Sequence, residues 1–197
     1  MLTPPWQKIS LVSRQFLTPD ILELIFEKPD NFLYQAGQFV QFKIPARPED
    51  SGRSGGPYEN DFVLRTYSIA SHPSENYLKF CVKNLAGGMA PVHFISMQVG
   101  DSIEITAPDG HFTLRPSAAG SNIFIATGTG LAPVRSLVLE SLKNNCATQL
   151  LFGVRSETDI FWDQEFKALQ AEFPNFLYTL TLSRPGPEWV GGSGRVS

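Results

Sequence analysis

Apolar and polar residues alternate along most of the first half of the chain, which is the period of a strand with one buried face. Six strands are predicted, over residues 7–14, 21–27, 38–44, 62–70, 77–83 and 102–106. One stretch, 89–97, has the apolar spacing of a helix instead, and Pro91 is tolerated in its first turn. Six short strands with turn residues between them and a single helix favour a small antiparallel barrel, which we expect to be a Greek key.

The pattern changes in the second half, where strands and helices alternate. Residues 122–126 (NIFIA) form a continuous apolar run, typical of a parallel strand buried on both faces. Further strands are predicted at 149–154 and 176–182, and amphipathic helices at 131–143 and 163–172. Strands that alternate with helices predict a doubly wound α/β fold with a parallel sheet.

Two segments without periodicity separate these elements. Residues 45–60 are rich in proline, glycine, serine and charge, and predict a long surface loop. Residues 117–121 (SAAGS) have the composition of a linker. We therefore expect a six-stranded antiparallel barrel domain over 1–116, followed by a partial doubly wound nucleotide-binding domain over 122–197.

Composition narrows the functional classes only a little. The net charge is −3, which gives no reason to expect nucleic acid as a partner. No charged-then-apolar leader opens the sequence, and no apolar run reaches the roughly 18 residues of a membrane span, so we expect a soluble cytoplasmic protein. The two cysteines and the three scattered histidines lack the spacing of a metal site, so no metal is expected.

The tetrapeptide Arg65-Thr66-Tyr67-Ser68 lies on the fourth predicted strand and suits a flavin nucleotide. Residues two apart on a strand share a face, so Arg65 and Tyr67 point to the same side. A guanidinium can bind phosphate through two hydrogen bonds, and a phenol can cover a flat ring. Taken alone, the four residues fit an ordinary strand with an exposed arginine and a tyrosine of the barrel better than a flavin site.

Glycines precede two of the predicted helices. Gly87-Gly88 stands before Met89 and Ala90, and glycine lets backbone N–H groups approach a diphosphate at a helix N-terminus. A flexible turn at a helix start explains the same residues.

The segment Gly128-Thr129-Gly130 follows the NIFIA strand and opens the next helix, which is the context of a dinucleotide-binding turn. Pro133 stands where the fuller fingerprint has a third glycine, and a simple strand-to-helix turn remains an alternative. No acid ends the following strand to bind a ribose 2′-hydroxyl; Arg155 stands near that position.

Taken together and in this order, the motifs resemble those of the ferredoxin–NADP reductase superfamily of flavin- and NAD(P)-dependent reductases. The resemblance covers essentially the whole chain. The matching segments are 65–68, 82–83, 87–89, 108–112, 126–133, 152–155, 183–184 and 189–196.

The resemblance implies FAD as cofactor and a role for each matching residue around it. Arg65 would bind the flavin diphosphate within the segment that includes Thr66, Tyr67 would stack on the isoalloxazine, and Ser68 would hydrogen-bond near N5. Tyr67 and Ser68 are therefore the candidate catalytic residues. The flavin ribose and diphosphate would lie along Val82 and Lys83 and receive backbone N–H groups from Gly87, Gly88, Met89 and Ala90. Ala90 stands where members of the family usually carry serine or threonine.

For the second substrate, the resemblance implies NAD(P)H. Thr127, Gly128 and Gly130, with Pro133 close by, would receive its nicotinamide side. Ser183 and Arg184 match positions that bind the 2′-phosphate in members that use NADPH, and Arg155 is a further candidate nucleotide contact.

One departure from the family pattern concerns the end of the chain. Family members continue past the Gly-Arg-Val at 194–196 with further strands, including a Cys-Gly segment beside the nicotinamide. We therefore expect a fragment or truncated product whose remaining sheet exposes a strand edge of the buried type. Cys81 and Cys146 lie outside such a context and are expected to be structural.

Two functions follow from these expectations. The first is an enzyme that passes hydride from NAD(P)H to FAD and then electrons to ferredoxin, another iron–sulfur protein, flavodoxin, an oxygenase component or a small-molecule acceptor. The alternative is a non-catalytic flavin- or nucleotide-binding module of a larger redox complex. No cluster of cysteines is present to hold an iron–sulfur centre on this chain.

Overall fold

The computed structural model describes residues 6–46, 62–115 and 120–196, which form two sheets with three α-helices. The first sheet is built from β1 (Gln7–Thr18), β2 (Ile21–Glu27), β3 (Phe39–Pro45), β4 (Phe62–Ser68), β5 (Tyr77–Lys83) and β6 (Ser102–Ile105). Helix α1 (Met89–Ser96) lies between β5 and β6 in the chain.

The six strands pair antiparallel in the order β4-β3-β6-β1-β2-β5. Just past the end of β4, the backbone N–H of Ala70 donates to the carbonyl of Lys79 on β5 at 2.8 Å, so the two end strands of the sheet also meet. The closed sheet is the predicted barrel.

Aromatic side chains fill the barrel. Phe42 is fully buried, and its ring meets those of Phe26, Phe80 and Phe94 at centroid distances of 5.7, 4.9 and 5.2 Å. Tilted and edge-on contacts of this kind stabilise beyond the area they bury. Phe94 comes from α1, so the helix is fixed by the same core as the strands.

The second sheet is parallel and has the order β10-β9-β8-β7. Its strands are β7 (Ser121–Thr127), β8 (Ala147–Val154), β9 (Phe176–Leu182) and the two-residue β10 (Gly192–Ser193), and its helices are α2 (Leu131–Lys143) and α3 (Asp163–Glu172). A 3₁₀ turn, Gly128–Gly130, joins β7 to α2. The alternation of strand and helix agrees with the predicted α/β layer.

Strand β7 differs from the sequence expectation, which placed both of its faces in the core. Ile123 and Ile125 are 65% and 57% exposed, whereas Phe124 and Ala126 are buried. The residues of α2 and α3 share a core with Phe124, and no element of the described ranges covers the opposite face. Leu177 on β9 lies on that same uncovered face and is 51% exposed. The apolar run was therefore a wrong guide to burial in this chain.

Some expectations lie partly or wholly outside the described residues. The predicted surface loop at 45–60 begins on Pro45, which belongs to β3, and most of it is not described. Of the predicted linker at 117–121, Gly120 and Ser121 are described, and Ser121 is already the first residue of β7.

Candidate functional site

Tyr67 on β4 stands at the rim of the barrel core, where its ring is half-buried. Its ring lies edge-on to Phe42 at 5.7 Å and to Phe94 of α1 at 5.6 Å. Burial raises the pKa of Tyr67 to about 12, so the phenol is neutral at ordinary pH. These contacts bring the Arg65–Ser68 segment and helix α1 together, as a common flavin site requires.

The neighbours of Tyr67 on β4 differ in exposure. Thr66 is exposed, while Arg65 and Ser68 are half-buried. The Arg65 guanidinium donates through Nη1 to the Leu64 carbonyl at 2.9 Å. This bond stays within β4, so breaking it to turn the guanidinium toward a phosphate disturbs no contact with another described strand.

The Gly87-Gly88 turn has the backbone that the sequence indicated. Gly87 adopts a φ of +75°, which favours glycine, and Gly88 is the N-cap of α1 without a capping side chain. Met89, like Tyr67, is partly buried and packs against the barrel core. Ala90 is 2% exposed and faces the core, so only its backbone can contact a ligand.

Val82 and Lys83 point in opposite directions from the end of β5. The side chain of Val82 is buried in the barrel core. Lys83 instead forms an ion pair with Asp20 at 2.7 Å, and this hydrogen bond holds the pKa of Asp20 below its ordinary value. Both charged groups face a cleft between the barrel and the parallel sheet.

This cleft has a volume of about 310 Å³ and lies at the carboxyl ends of the parallel strands, where α/β sheets bind their ligands. It brings together residues that lie far apart along the chain. They are Asp20, Ile21 and Lys83 from the barrel, and Thr127, Gly128, Gly153, Val154, Arg155, Asp159, Ser183, Arg184, Gly194, Arg195 and Val196 from the sheet.

The Gly128–Gly130 turn at the N-terminus of α2 fits a diphosphate or nicotinamide ribose. Gly128 has a φ of +50°, and a Cβ at Gly128 or Gly130 would have no atom within 4 Å. The backbone of the turn is therefore open to an approaching group, and the N-terminus of a 13-residue helix favours an anion there. Pro133 is half-buried in the first turn of α2, where its missing N–H costs nothing.

Three arginines converge on the same cleft. Arg155 follows β8 and Arg184 follows β9, and the two are fixed side by side because the Arg184 N–H donates to the Arg155 carbonyl at 2.7 Å. Ser183 is held likewise by its N–H bond to Val154 at 3.0 Å. Sequence reasoning missed Arg195; its only signal was its place in the Gly-Arg-Val segment, whose contacts a sequence does not reveal.

The Gly-Arg-Val segment folds back over the end of β8. A Cβ on Gly153 would lie 2.8 Å from a methyl carbon of Val196, so glycine is what allows Val196 to pack there. The N–H of Gly194 donates to the Leu182 carbonyl at 2.8 Å. Arg195 is thereby held at the cleft between two anchored residues.

Two further observations concern the described ranges as a whole. Within them, no three histidine, cysteine or acidic side chains are grouped so that they can hold a metal ion. None of the helices in the same ranges is long and apolar enough to cross a membrane.

Comparison with known families divides the chain in the same place as the two sheets. Residues 8–114 match the oxidoreductase FAD-binding domain family, and residues 124–197 match the oxidoreductase NAD-binding domain family. The first match alone covers more than half of the chain.

Individual relatives agree with this assignment. The chain is 36% identical over 191 residues to ferredoxin–NADP reductase B of Sorangium cellulosum, with 94% of this chain and 73% of that protein covered. It is 34% identical to the phenol 2-monooxygenase reductase component DmpP of a Pseudomonas strain, of which it spans 49%. It is 28% identical to one subunit of the Na(+)-translocating NADH-quinone reductase of Shewanella putrefaciens, and it spans 73% of that subunit.

Solved structures support the fold. The Amycolatopsis cytochrome P450 reductase GcoB superposes with a TM-score of 0.80 over 98% of this chain and 57% of its own, at 24% identity. A ferredoxin NADP+ reductase from Neisseria gonorrhoeae with bound FAD and NADP superposes with a TM-score of 0.76 over 96% of this chain and 73% of its own, at 21% identity. The two domain families and the Sorangium relative show that the chain belongs to the ferredoxin–NADP reductase superfamily and is an FAD-containing, NAD(P)H-dependent flavoprotein reductase.

Proposed function

We propose that this reductase passes its electrons to a separate redox protein. The acceptor is an iron–sulfur protein such as ferredoxin, a flavodoxin, or an oxygenase component. The observation that carries the proposal is the 36% identity with a ferredoxin–NADP reductase over 94% of the chain. The chain has only two cysteines, whereas cysteine-bound clusters take four, so an iron–sulfur acceptor must lie outside these residues. A small-molecule acceptor is the other possibility that the same chemistry allows.

We place the FAD-binding domain at 1–116 and the NAD(P)-binding domain at 122–197. The spans of the two matching families, 8–114 and 124–197, support this division. So does the change from antiparallel to parallel pairing between β6 and β7.

For FAD, we assign the diphosphate to Arg65 and to the backbone of Gly87, Gly88, Met89 and Ala90, and the ring to Tyr67 and Ser68. The contact between Tyr67 and Phe94 supports this assignment, because it joins the two segments at one rim. Val82 and Lys83 would lie along the ribose and diphosphate, and Val82 offers only its backbone there, because its side chain is buried. Thr66 is exposed and offers its side chain as well as its backbone.

For NAD(P)H, we assign the cleft at the ends of the parallel strands. Thr127, Gly128, Gly130 and the helix start at Pro133 would receive the nicotinamide side, and Ser183, Arg184 and Arg155 the adenosine 2′-phosphate. We add Arg195 to this second group, because it lines the same cleft. Lys83 stands between the two cofactor sites, since it comes from a barrel strand and lines the nucleotide cleft.

FAD held by these residues would supply the acceptor for a hydride from NAD(P)H and the donor of single electrons, so the protein mainly binds and orients. Tyr67, neutral and packed against Phe42 and Phe94, provides a rigid ring surface. Arg65 neutralises phosphate charge, and the arginines of the cleft hold the far end of the nucleotide. No residue needs to act as an acid or base.

The test is the absorption spectrum of the purified protein and its change when NADPH is added without oxygen. We expect a yellow protein that contains FAD, or rebinds it, and bleaches on addition of NADPH. Cytochrome c reduction with and without added ferredoxin or flavodoxin then identifies the acceptor class. A colourless chain that takes up neither FAD nor FMN would contradict the flavin-site assignment.

The alternative is a flavin- or nucleotide-binding module of a larger complex. It is supported by the likeness to the Shewanella putrefaciens protein, which is named as one subunit of an NADH-quinone reductase. The same experiment separates the two functions. A module binds flavin and nucleotide but leaves the flavin oxidised when NADPH or NADH is supplied, although dithionite still bleaches it.

A further inference from the structure

A buried arginine on α2 has no place in either cofactor site. Arg135 is 3% exposed, and its guanidinium bonds in three directions. Nη1 donates to the Ala70 carbonyl at 2.8 Å, both Nη atoms reach the Glu75 carboxylate at 3.1 Å, and Nε donates to Glu165 at 2.8 Å. Ala70 and Glu75 belong to the barrel, while Glu165 lies on α3 of the parallel-sheet half.

These bonds lie close along the chain to both proposed cofactor sites. Ala70 follows Ser68, the last residue of β4, by two residues. Arg135 follows Gly130, the last residue of the 3₁₀ turn, by five. The bond between Ala70 and Arg135 therefore joins the end of the proposed flavin strand to the helix that opens at the proposed nucleotide turn.

Other bonds along α2 reinforce this joint. The Ser136 hydroxyl donates to the Ser71 carbonyl at 2.7 Å, and both groups are buried. One turn further, Glu140 meets the Nε2 of His72 at 2.7 Å. Three residues of α2 thus contact barrel residues in the short segment between β4 and β5.

Trp162, at the start of α3, binds that helix to the barrel as well. It has a φ of +56°, which is costly for a bulky residue, and its indole N–H donates to the buried Glu23 of the barrel at 2.8 Å. The Arg135 guanidinium lies 5.7 Å from the centre of the Trp162 ring. An unfavourable backbone conformation is maintained here by contacts that cross between the two halves.

Stability alone is a weak reason for such a buried charge. Replacing buried ion pairs by apolar side chains of similar volume is often neutral or stabilising, whereas a fixed fork of hydrogen bonds defines one orientation. Hydride transfer depends steeply on geometry, and a misplacement of about 1 Å can cost roughly 10²-fold in rate. Orientation between the halves is therefore the property that this cluster is suited to control.

We propose that Arg135 is a positioning residue that fixes the nucleotide turn against the flavin strand through its bonds to Ala70 and Glu75. The proposal rests on the flavin and nucleotide assignments given above. Arg135 lies in neither proposed cofactor site, and its effect reaches the reaction through α2 and the end of β4.

The network offers three variants, each of which changes a different contact of Glu75 or Arg135. Glu75→Gln weakens the bond that crosses between the halves. Glu165→Gln removes the other carboxylate from Arg135, but within the parallel-sheet half. Tyr77→Phe removes a hydroxyl that donates to Glu75 at 2.6 Å, but within the barrel. Neither control residue belongs to the cleft or the flavin strand.

The first measurement is the limiting rate of flavin reduction by saturating NADPH in anaerobic stopped flow, with FAD bound to the full chain. We expect Glu75→Gln to lower this rate at least tenfold and to raise the isotope effect with NADPH deuterated at the transferred position. Glu165→Gln and Tyr77→Phe should stay within about twofold of the wild type. Dissociation constants for FAD and NADP+ should be unchanged in all three.

The second measurement does not depend on turnover. NADP+ is titrated into the oxidised, FAD-loaded chain, and the change in the flavin spectrum is compared with binding measured by calorimetry. We expect Glu75→Gln to bind NADP+ with wild-type affinity but to lose at least half of the spectral change. If Glu75→Gln fails to fold, Arg135→Lys replaces it, since an amine keeps the charge but cannot make the whole fork.

The outcomes separate this proposal from the assignments beneath it. If all three variants change rate and spectrum equally, or if Glu75→Gln resembles its controls, Arg135 is only a stabilising residue and the proposal is wrong. If NADPH leaves the wild-type flavin oxidised, the proposed function fails instead, and the NADP+ spectrum alone decides the role of Arg135. A wild type that binds NADP+ without any spectral change would also overturn the proposal.

Discussion

Gly37 lies so close to Phe112 that a Cβ at position 37 would sit 1.9 Å from the Phe112 carbonyl oxygen. The same Cβ would be 3.1 Å from a methyl carbon of Leu137 on α2. Three segments therefore meet at Gly37. They are the residues just before β3, the segment around Phe112 that leaves the barrel, and helix α2, which follows the nucleotide turn. Its φ of +93° adds a second reason for glycine at this position.

Gly37→Ala should consequently destabilise the protein by more than about 2 kcal/mol, because a backbone atom must move in addition to the cost of the positive φ. Gly100→Ala is the matched control. Gly100 has a φ of +95°, but a Cβ there would meet nothing within 4 Å, so about 1 kcal/mol is expected. Chemical denaturation measures both; equal losses would show that the contact with Phe112 relaxes freely.

Several elements could be predicted from the sequence to the residue, namely β2, β5, β9, α2 and α3. Each has a clear period and ends at a turn residue or a change of pattern. Burial was harder to predict, because it depends on which elements cover a face. The apolar run around Ile123 and Ile125 does not state that both neighbouring helices pack on the other side of the sheet.

The candidate site could be predicted motif by motif, but not the contacts that join the two halves. Nothing local distinguishes Arg135 or Glu165 from solvated helix charges. Their pairing depends on how the barrel packs against α2 and α3. Charges that meet only in the tertiary structure leave no periodic signal in one sequence.

Arg65→Ala should weaken FAD binding by about 1.5–3 kcal/mol, the loss expected for one hydrogen-bonded charge. Fluorescence titration of the apoprotein with FAD measures the effect. Lys8→Ala removes an exposed cation from another barrel strand and should leave affinity unchanged. If riboflavin, which lacks phosphate, loses as much affinity as FAD, Arg65 does not act on the diphosphate.

Gly128→Ala should weaken nucleotide binding about tenfold, because the new methyl group would occupy the open space above the turn. Binding of NADP+ measured by calorimetry tests this, and retention of FAD should be unchanged. Gly100→Ala again serves as control, since it places alanine at a positive φ far from the cleft. Unchanged NADP+ affinity would indicate that the nucleotide does not approach the backbone at Gly128.

The stability of the protein should depend on Glu75 in acid. Burial alone would raise the pKa of this carboxyl, but hydrogen bonds from Arg135 and Tyr77 hold it at about 2, below the ordinary 4.5. Because the pKa is lower in the folded state, the contribution of Glu75 is complete above pH 4.5 and is lost as the pH falls towards 2.

Glu75→Gln should therefore flatten the decline of the unfolding free energy across this interval, which denaturant titrations at several pH values measure. Glu104→Gln, which breaks a partly exposed pair with Lys43, should change stability by less than about 1 kcal/mol. An acid profile of Glu75→Gln that matches the wild type would mean that Glu75 gains nothing from Arg135.

The choice between NADPH and NADH should depend on Arg184. The two nucleotides differ at the 2′ position of the adenosine ribose, which carries a dianionic phosphate in NADPH and a hydroxyl in NADH. Ser183 and Arg184 line the cleft beside Arg155, and no acid directly ends β8 to favour the hydroxyl. The two acids of the cleft, Asp20 and Asp159, bond to Lys83 and to Ser156. Among the described residues, Arg184 has no ion-pair partner, so its charge is available to a phosphate. We therefore expect a preference for NADPH.

Arg184→Ala should lower kcat/KM for NADPH about tenfold or more and leave the value for NADH nearly unchanged, since each 1.4 kcal/mol corresponds to a factor of ten. Lys167→Ala removes a cation that pairs with Asp163 on α3, away from the cleft, and controls for the overall change in charge. Steady-state kinetics with both nucleotides at constant ionic strength provide the ratio. Equal losses for NADPH and NADH would show that Arg184 does not recognise the 2′-phosphate, and the preference would then have to come from Arg155 or Arg195.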